Sequence, residues 1–134
     1  MLVEAYAAIH CLAATIFWEA RNEPPDGMYA VGYVVLNRVK DDRWPDDVCS
    51  VVYQPYQFTW VKNPQQVDES NPLELRAWRR SQDIAAYLLD QHDGALFRAD
   101  HYHHVDVWPL PDWVRGMKPY AKIGNHVFYR SEEW

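Results

Sequence analysis

The sequence has little basic charge. Thirteen lysine and arginine residues stand against nineteen aspartate and glutamate residues, giving a formal net charge of −6 at pH 7. Proteins that bind nucleic acids generally present a basic patch to the phosphates. The nearest approach to one is Arg76, Arg79 and Arg80. We assign these to the solvated face of a predicted helix and expect no nucleic-acid partner.

Long apolar runs and secretory signals are also missing. A membrane-spanning helix needs about 20 mostly apolar residues, and no stretch of this sequence approaches that length. The N-terminus has no basic region, and apolar residues 5–14 are interrupted by His10, unlike a secretory leader. We therefore expect a protein that is made in the cytoplasm and does not insert into membranes.

Cysteines are scarce and several catalytic motifs are absent. Cys11 and Cys49 match no metal-ligand spacing, and they form either one disulfide or two buried thiols. The missing leader favours free thiols, because disulfides persist in oxidising compartments. There is no glycine-rich phosphate loop and no GxSxG nucleophile motif. Cys11 lies inside a regular helical pattern, which disfavours a role as nucleophile.

Aromatic and apolar residues are abundant. Apolar residues make up 49% of the 134 residues, enough for one core, so we predict a single domain over residues 1–134. Aromatic residues reach 15%, with seven tryptophans and nine tyrosines. Part of that excess suits a groove, because flat amphipathic rings bind sugars, peptides and bases.

Apolar spacing predicts the first two helices. Apolar residues recur every three or four positions from Ile9 to Ala20, which predicts an amphipathic helix that ends near residues 21–22, before Pro24. A second helix is predicted over residues 27–39 with Asp26 as its N-cap. It is apolar nearly all round, so we expect it at the centre of the domain.

The remaining elements are shorter or less regular. We predict a short helix over 47–53 capped by Asp46, and an irregular segment or short strand over 54–63. A long helix begins with Asn71 as cap and Pro72 at its first position, and closes at residues 93–94. A turn at residues 124–125 joins two strands. The predicted fold class is α+β, mainly α.

Glu19 is the most informative acidic residue. It falls about 90–100° from the centre of the apolar stripe of its helix, beside Leu12 and Ile16. It also lies in the last turn, where the helix dipole disfavours negative charge. Partial burial acts in the same direction, so we predict a raised pKa. A carboxyl group that stays protonated near neutral pH can donate a proton to a glycosidic oxygen. The alternative is a boundary glutamate paired with Arg21, Arg38 or solvent.

No second carboxylate is as clearly placed. Glu23 precedes Pro24 and is predicted at a loop surface, whereas Asp26 has a sufficient role as a cap. Hydrolysis of a sugar bond usually needs two carboxyl groups. A mechanism with one carboxyl group therefore stays open if the substrate supplies its own nucleophile.

A histidine cluster follows the long helix, in the stretch ADHYHHVDVWP. If this stretch is extended, His101 and His103 point to the same face, as two zinc ligands on one strand would. His126 is a candidate third ligand. The alternative is an aromatic groove wall whose histidines bond to substrate or backbone.

The order of these pieces resembles the SleB/CwlJ-type cell wall hydrolases. The similar blocks are CLAATIFWEARNEPPDGMYAVGYVVLNRV, WPDDVCSVVYQPYQFTW, GALFRADHYHHVDVWPLPDWV and KIGNHVFYR. They cover about residues 11–130. The least distinctive part is the helix around residues 73–89. The family's typical His-Tyr-Tyr-Asn is here His101-Tyr102-His103-His104, which changes the polar contacts of a groove.

The resemblance implies a compact lysozyme-like domain that cleaves peptidoglycan between N-acetylmuramic acid and N-acetylglucosamine, with no metal or cofactor. It implies one catalytic glutamate, the first of the Glu-Ala-Arg motif, here Glu19. As in lytic transglycosylases, the muramic 6-hydroxyl would attack its own anomeric carbon. Residues predicted from these blocks to contact the glycan strand are Gln57, Phe58, Trp60, His101, Tyr102, Glu23 and His126.

Two other functions compete with this one. A zinc-dependent amidase would cut the muramoyl–alanine bond with His101, His103 or His126. A non-catalytic wall-binding or virion module would keep the groove without the chemistry. The missing leader and wall-binding module favour a phage endolysin, held in the host cytoplasm until release. We expect a monomer, because no repeated apolar face is evident. A bacterial cell wall hydrolase is the other origin.

Overall fold

The computed structural model describes residues 2–55 and 57–131. Helices occupy the first part of the chain, and three short antiparallel strands follow. The central strand of the sheet is the last in the sequence. The elements are α1 Leu2–Ala20, α2 Pro25–Val39, α3 Val48–Val52, α4 Pro72–Gln91, β1 His101–His104, β2 Pro119–Ile123 and β3 His126–Tyr129. The predicted α+β, mainly helical class is confirmed.

Helix α2 is the centre of the core, as predicted. It contacts α1, α3 and α4, and its apolar residues, such as Val31, Val34 and Val35, are fully buried. A Cβ at Gly32 would lie 2.6 Å from Leu88 of α4 and 3.2 Å from Ile16 of α1. Glycine therefore lets both neighbouring helices approach this point of α2 closely.

Two of the predicted helix caps are wrong. Helix α2 starts at Pro25, and its N-cap Pro24 has no side-chain cap bond. Proline suits the first helical position, because its φ is already helical and its missing N–H would have no partner there. Asp26 therefore lies inside the first turn. In α3 the cap is Asp47, which accepts from the backbone N–H of Ser50, and not Asp46.

Other boundaries agree more closely. Helix α1 ends at Ala20, just before the predicted limit. The Asn71 side chain caps α4 as predicted, accepting from the N–H groups of Leu73 and Glu74. Helix α4 ends at Gln91, two residues before the predicted close. Described residues between 54 and 63 contain a 3₁₀ turn at Thr59–Lys62, and Gly124 forms the predicted turn with φ +57°.

The prediction of free thiols is wrong. Cys11 of α1 and Cys49 of α3 form a disulfide with a Cα–Cα distance of 5.4 Å and a sequence separation of 38. Packing of α3 against α1 brings together two cysteines whose sequence spacing predicted nothing. None of the described helices is long and apolar enough to cross a membrane.

Candidate active site

Glu19 lies in the last turn of α1 and faces a cavity of about 540 Å³. We call this the main cavity. Its walls come from α1, α2, β1, β3, the segment after α3 and the loop between β1 and β2. They combine aromatic rings, histidines, two polar side chains, one arginine and one carboxyl group. The lining residues are Trp18, Glu19, Arg38, Gln57, Phe58, Thr59, His101, Tyr102, His103, His104, Val107, Pro111, Trp113 and His126.

The carboxyl group of Glu19 has one hydrogen-bond partner in the described part of the chain. The Tyr102 hydroxyl donates to Glu19 Oε1. Burial raises the pKa of Glu19, and the hydrogen bond from Tyr102 offsets part of that effect. The net shift is upward, in the predicted direction, because burial penalises the charged carboxylate more than one hydrogen bond favours it.

The alternative of a glutamate paired with arginine is not observed. Arg21 Nη1 lies 2.8 Å from Glu74 Oε1. Arg38 donates from Nη1 to Gln57 Oε1 at 2.6 Å and from Nε to the Asp100 carbonyl oxygen at 2.8 Å. Both cations are thus directed to other acceptors.

Tyr102 is held rigidly beside Glu19. Its ring packs against His126 and Phe128, with ring centres 5.1 and 5.5 Å away. Burial, and then the nearby Glu19 charge, raise the pKa of Tyr102 well above its usual value. The phenol therefore stays protonated and acts as a hydrogen-bond donor at any physiological pH.

Helix α2 holds the strand that carries Tyr102. The Asn37 side-chain amide donates to the carbonyl oxygens of Phe97 and Ala99, both at 2.8 Å. Arg38 donates to the next carbonyl, that of Asp100. Burial lowers the pKa of Arg38, but a guanidinium group stays charged in proteins. The Asn-Arg pair therefore fixes the start of β1 and places one positive charge at the cavity wall.

The three histidines considered as zinc ligands differ in what their ring nitrogens contact. His101 Nδ1 lies 2.9 Å from Asp100 Oδ1, and its ring packs on Trp113 at 4.8 Å. His103 Nε2 is 2.8 Å from the Tyr129 hydroxyl. His126 is buried, and among the described residues its Nδ1 has no hydrogen-bond partner, with Glu23 Oε1 3.8 Å away. Burial is the main cause of its lowered pKa.

The zinc site that the sequence offered as an alternative is not formed. Among residues 2–55 and 57–131, no group of three histidine, cysteine, aspartate or glutamate side chains is arranged to hold a metal ion. His101 and His103 instead direct ring nitrogens to Asp100 and Tyr129. They form part of a groove wall, which was the other interpretation of the cluster.

Glu23 is not at a loop surface, contrary to prediction. Its side chain is 5% exposed, and its carboxylate accepts from the Asn125 backbone N–H at 2.6 Å and from Asn125 Nδ2 at 3.1 Å. It fastens the β2–β3 turn to the loop between α1 and α2. It also lines a side cavity of about 290 Å³, which shares Trp18, Glu19 and His104 with the main cavity.

The structure brings most of the predicted groove residues together. Gln57, Phe58, His101, Tyr102 and His126 line the main cavity with Glu19. Trp60 lies outside that lining and packs near Tyr53, with ring centres 6.1 Å apart. Its role in substrate binding stays a prediction, and its position does not favour it.

Several lining residues were not predicted. Trp18 precedes Glu19 directly and lines both the main and the side cavity. Trp113 stacks on His101 and His103 across the cavity wall. The Pro-x-Trp spacing of residues 111–113 was the one sequence signal that could have identified Trp113.

Comparison with known proteins identifies the family of this chain. The family model described as Cell Wall Hydrolase matches residues 22–129. The chain belongs to the cell wall hydrolase family. The spore cortex-lytic enzymes of Bacillus subtilis (strain 168) and Halalkalibacterium halodurans are 30% and 32% identical over 122 and 120 residues, which is 90% of this chain. The chain spans only 36% and 34% of the lengths of those relatives.

Two solved structures share the fold. One is the catalytic domain of the germination-specific lytic transglycosylase SleB from Bacillus anthracis, with a TM-score of 0.70, 28% identity, and coverage of 92% of this chain and 93% of that one. The other is the catalytic domain of the Bacillus cereus SleB protein, with a TM-score of 0.69, 28% identity, and coverage of 92% and 89%. This cell wall hydrolase therefore has the predicted lysozyme-like, transglycosylase-type fold.

Proposed function

We propose that this cell wall hydrolase cleaves the glycan strands of peptidoglycan, with Glu19 as both acid and base. The observation that carries the proposal is the carboxyl group of Glu19. It faces an aromatic-walled cavity, has no cationic partner in the described chain, and has a pKa raised by burial. Aromatic walls suit the faces of sugar rings, and a protonated carboxyl group suits a leaving glycosidic oxygen.

The hydrogen bond from Tyr102 decides which oxygen of Glu19 carries the proton. Oε1 accepts from the tyrosine hydroxyl, so in the acid form the proton resides on Oε2. From Oε2 it passes to the glycosidic oxygen as the bond from that oxygen to the muramic anomeric carbon breaks. The carboxylate that results keeps the Tyr102 hydrogen bond, which stabilises the charge that forms during the step.

The same carboxylate then serves as the base. It takes the proton of the muramic 6-hydroxyl while that oxygen bonds to the anomeric carbon, giving a 1,6-anhydro product and restoring the acid form of Glu19. No water is consumed and no second carboxylate is needed. The described lining supports this one-acid mechanism, because Glu23 already accepts two hydrogen bonds from Asn125. The Bacillus anthracis relative is a lytic transglycosylase, which favours the same outcome.

We further propose that the protein acts as a monomer on peptidoglycan at the cell wall, after release from the cytoplasm where it is made. This fits either a phage endolysin or a bacterial hydrolase. The Cys11–Cys49 disulfide supports action outside the cytoplasm, where disulfides persist. Labelling of free thiols before and after release tests whether the disulfide forms outside the cytoplasm. Gel filtration of the purified protein tests whether it is a monomer.

Product analysis tests the proposed reaction. Purified peptidoglycan is digested with wild type, Glu19→Gln and the matched surface variant Glu69→Gln, with and without a chelator, and soluble products are identified by mass spectrometry. Anhydro-muropeptides are expected from wild type and Glu69→Gln, unchanged by chelator, and none from Glu19→Gln.

Other products identify the competing functions. Reducing-end sugars without anhydro-muropeptides would show hydrolysis and contradict the one-carboxyl mechanism. Chelator-sensitive release of free peptides that does not depend on Glu19 would indicate an amidase. Equal binding of peptidoglycan by wild type and Glu19→Gln, with no product from either, would indicate a non-catalytic binding module.

A further inference from the structure

A third cavity, of about 450 Å³, lies beyond the side cavity and has a different lining. We call it the arginine cavity. It lies between the end of α1 and the first turns of α4. No aromatic residue is among its described lining residues. The polar side chains that line it are Arg21, Asn22, Asn71, Glu74, Arg76 and Arg80.

The arginine cavity adjoins the side cavity, which in turn adjoins the main cavity. The main and side cavities share Trp18 and Glu19. The side and arginine cavities share the next polar residues along the chain, Arg21 and Asn22. Groups attached to a glycan strand bound at Glu19 would therefore lie beside the side cavity, which the arginine cavity adjoins.

Positive charge in this cavity exceeds what its own carboxylate neutralises. Glu74 Oε1 accepts from Arg21 Nη1 at 2.8 Å, and Glu74 Oε2 accepts from the Asp68 N–H at 3.2 Å. Arg76 and Arg80 have no ion pair within the described part of the chain. They lie four residues apart on one helix, where like charges repel. A cavity with two unneutralised guanidinium groups stands out in a protein of net charge −6.

The donors that face this cavity are side chains and not the helix end. The first N–H groups of α4 are used by the Asn71 cap. Arg21 is fixed in place by Glu74 and by the rings of Phe17 and Trp18, with ring centres 5.3 and 5.0 Å from its guanidinium carbon. It uses one of five N–H donors for Glu74, which leaves others for a ligand.

We propose that the arginine cavity binds a carboxylate of the peptide stem attached to the glycan strand. This inference rests on the proposed cleavage of peptidoglycan. Guanidinium groups match carboxylates in geometry and charge, and sugar rings prefer the aromatic main cavity. Among anionic groups of the wall, a stem carboxylate is favoured over a separate phosphate polymer. The stem is covalently joined to the strand that passes Glu19.

The test compares Arg76→Gln/Arg80→Gln with wild type on soluble, uncrosslinked strands that bear peptide stems and have been stripped of phosphate polymers. Arg79→Gln is the matched control, since Arg79 lies on the same helix, is exposed, and is not part of the cavity lining. Glutamine keeps helix propensity, and thermal melting checks that each variant folds.

Arg76 and Arg80 are exposed, as Arg79 is, so the double variant is expected to raise KM about three- to tenfold, the effect of losing two exposed ion pairs. Its kcat should stay within about twofold of wild type, because neither arginine touches the reacting atoms. Strands whose carboxylates have been converted to amides should abolish the difference. So should 1 M salt, where charges are screened beyond about 3 Å. Arg79→Gln should match wild type throughout.

Three results would overturn the inference. They are an unchanged KM on stem-bearing strands, a difference that survives amidation of the carboxylates, and a difference seen only on walls that retain phosphate polymers. The last would assign the cavity to the phosphate polymer. Activity of wild type on amidated strands separates these results from failure of the proposed function, in which no glycan product forms from any strand.

Discussion

Glu19 and Glu23 are four residues apart in the sequence, and both carboxyl groups are shielded from water, but their surroundings differ. Glu19 lies in the last turn of α1 and receives one hydrogen bond, from a tyrosine hydroxyl. Glu23 lies in the following loop and receives two, both from Asn125. The first carboxyl group faces the main cavity, whereas the second fastens a turn of the sheet.

The difference shows how the number of donors assigns a role to a shielded carboxyl group. Each hydrogen bond to the charged form stabilises it, and burial without donors destabilises it. With a single donor, burial dominates at Glu19 and its pKa rises. With both oxygens occupied, Glu23 is committed to holding the Gly124–Asn125 turn. A carboxyl group with a raised pKa and a carboxylate that fastens a turn thus lie four residues apart.

The largest expected effect is on activity. Glu19→Gln should lower kcat about 10³-fold, the usual contribution of a general acid and base, and Glu23→Gln should keep it within about threefold. Rates of release of soluble muropeptides from purified peptidoglycan measure both. If Glu23→Gln lost as much activity as Glu19→Gln, two carboxyl groups would be acting in catalysis, and the contrast between them would fail.

The same Glu19→Gln variant should be more stable than wild type at neutral pH. A raised pKa means that the folded state binds the Glu19 proton more tightly than the unfolded chain does. That contribution to the free energy of unfolding is complete below the ordinary carboxyl pKa and is lost as pH rises through the raised pKa. Urea unfolding at acidic and neutral pH should therefore show a difference between variant and wild type only at neutral pH.

The next prediction concerns Gly124, in the β2–β3 turn that Glu23 fastens. A Cβ at Gly124 would collide with Glu23 Oε1 and lie 3.0 Å from Pro24 Cδ, at φ +57°. Gly124→Ala should therefore lower the free energy of unfolding by about 3 kcal/mol, from backbone strain plus overpacking. Gly116→Ala is the matched control, because Gly116 has φ +84° with nothing within 4 Å of the added Cβ.

Urea unfolding of the two alanine variants separates the cost of backbone strain from the cost of the collision with Glu23. The control should lose only about 1–2 kcal/mol, the usual left-handed penalty. Equal losses in the two variants would mean that Glu23 does not restrict the turn.

Glu23→Gln should cost less, about 1–2 kcal/mol at pH 7. The amide oxygen can still accept from the Asn125 backbone N–H, but the charge-assisted bonds weaken and the amide NH₂ opposes Asn125 Nδ2. Urea unfolding measures the loss, with Glu69→Gln as control. A higher KM with unchanged stability would instead give Glu23 the substrate-binding role predicted from the sequence.

The smallest expected effect concerns the donor to Glu19. Tyr102→Phe removes the hydrogen bond that lowers the pKa of Glu19, so this pKa should rise further. Because the reacting form is protonated, kcat/KM falls as pH rises through this pKa. The alkaline limb should therefore move to higher pH. Tyr87→Phe, at an exposed position of α4, should leave the profile unchanged, and a shift to lower pH in Tyr102→Phe would contradict the argument.

Prediction from sequence succeeded where neighbouring residues decide the structure. Asn71 and Pro72 specify the start of α4, because a side-chain cap and a proline at the first position act within one turn. The apolar surface of α2 can be satisfied only at the centre of a core, so its burial was predictable. The fold class and the direction of the Glu19 pKa shift follow from local pattern and agree with the structure. The family, which is also confirmed, was predicted from a resemblance spread over about residues 11–130.

Prediction failed where two local signals compete or a distant partner decides. Asp26 and Pro25 both favour a helix start, and the proline prevailed. Asp46 and Asp47 are equivalent caps by residue type, and the second is the one that accepts from the Ser50 N–H. Free thiols were predicted for Cys11 and Cys49 because no secretory leader was recognised, and a separation of 38 positions gave no sign that packing would bring the two together.

Residue order alone therefore specified the helices, the central position of α2 and the position of Glu19 at the border between core and solvent. Only the tertiary structure decided which hydrogen-bond donors reach Glu19 and Glu23. It brought Tyr102 to Glu19, across 83 positions, and Asn125 to Glu23, across 102 positions. Helical periodicity extends over a few residues, whereas the donors to these two carboxyl groups come from a strand and a turn that are distant in the sequence.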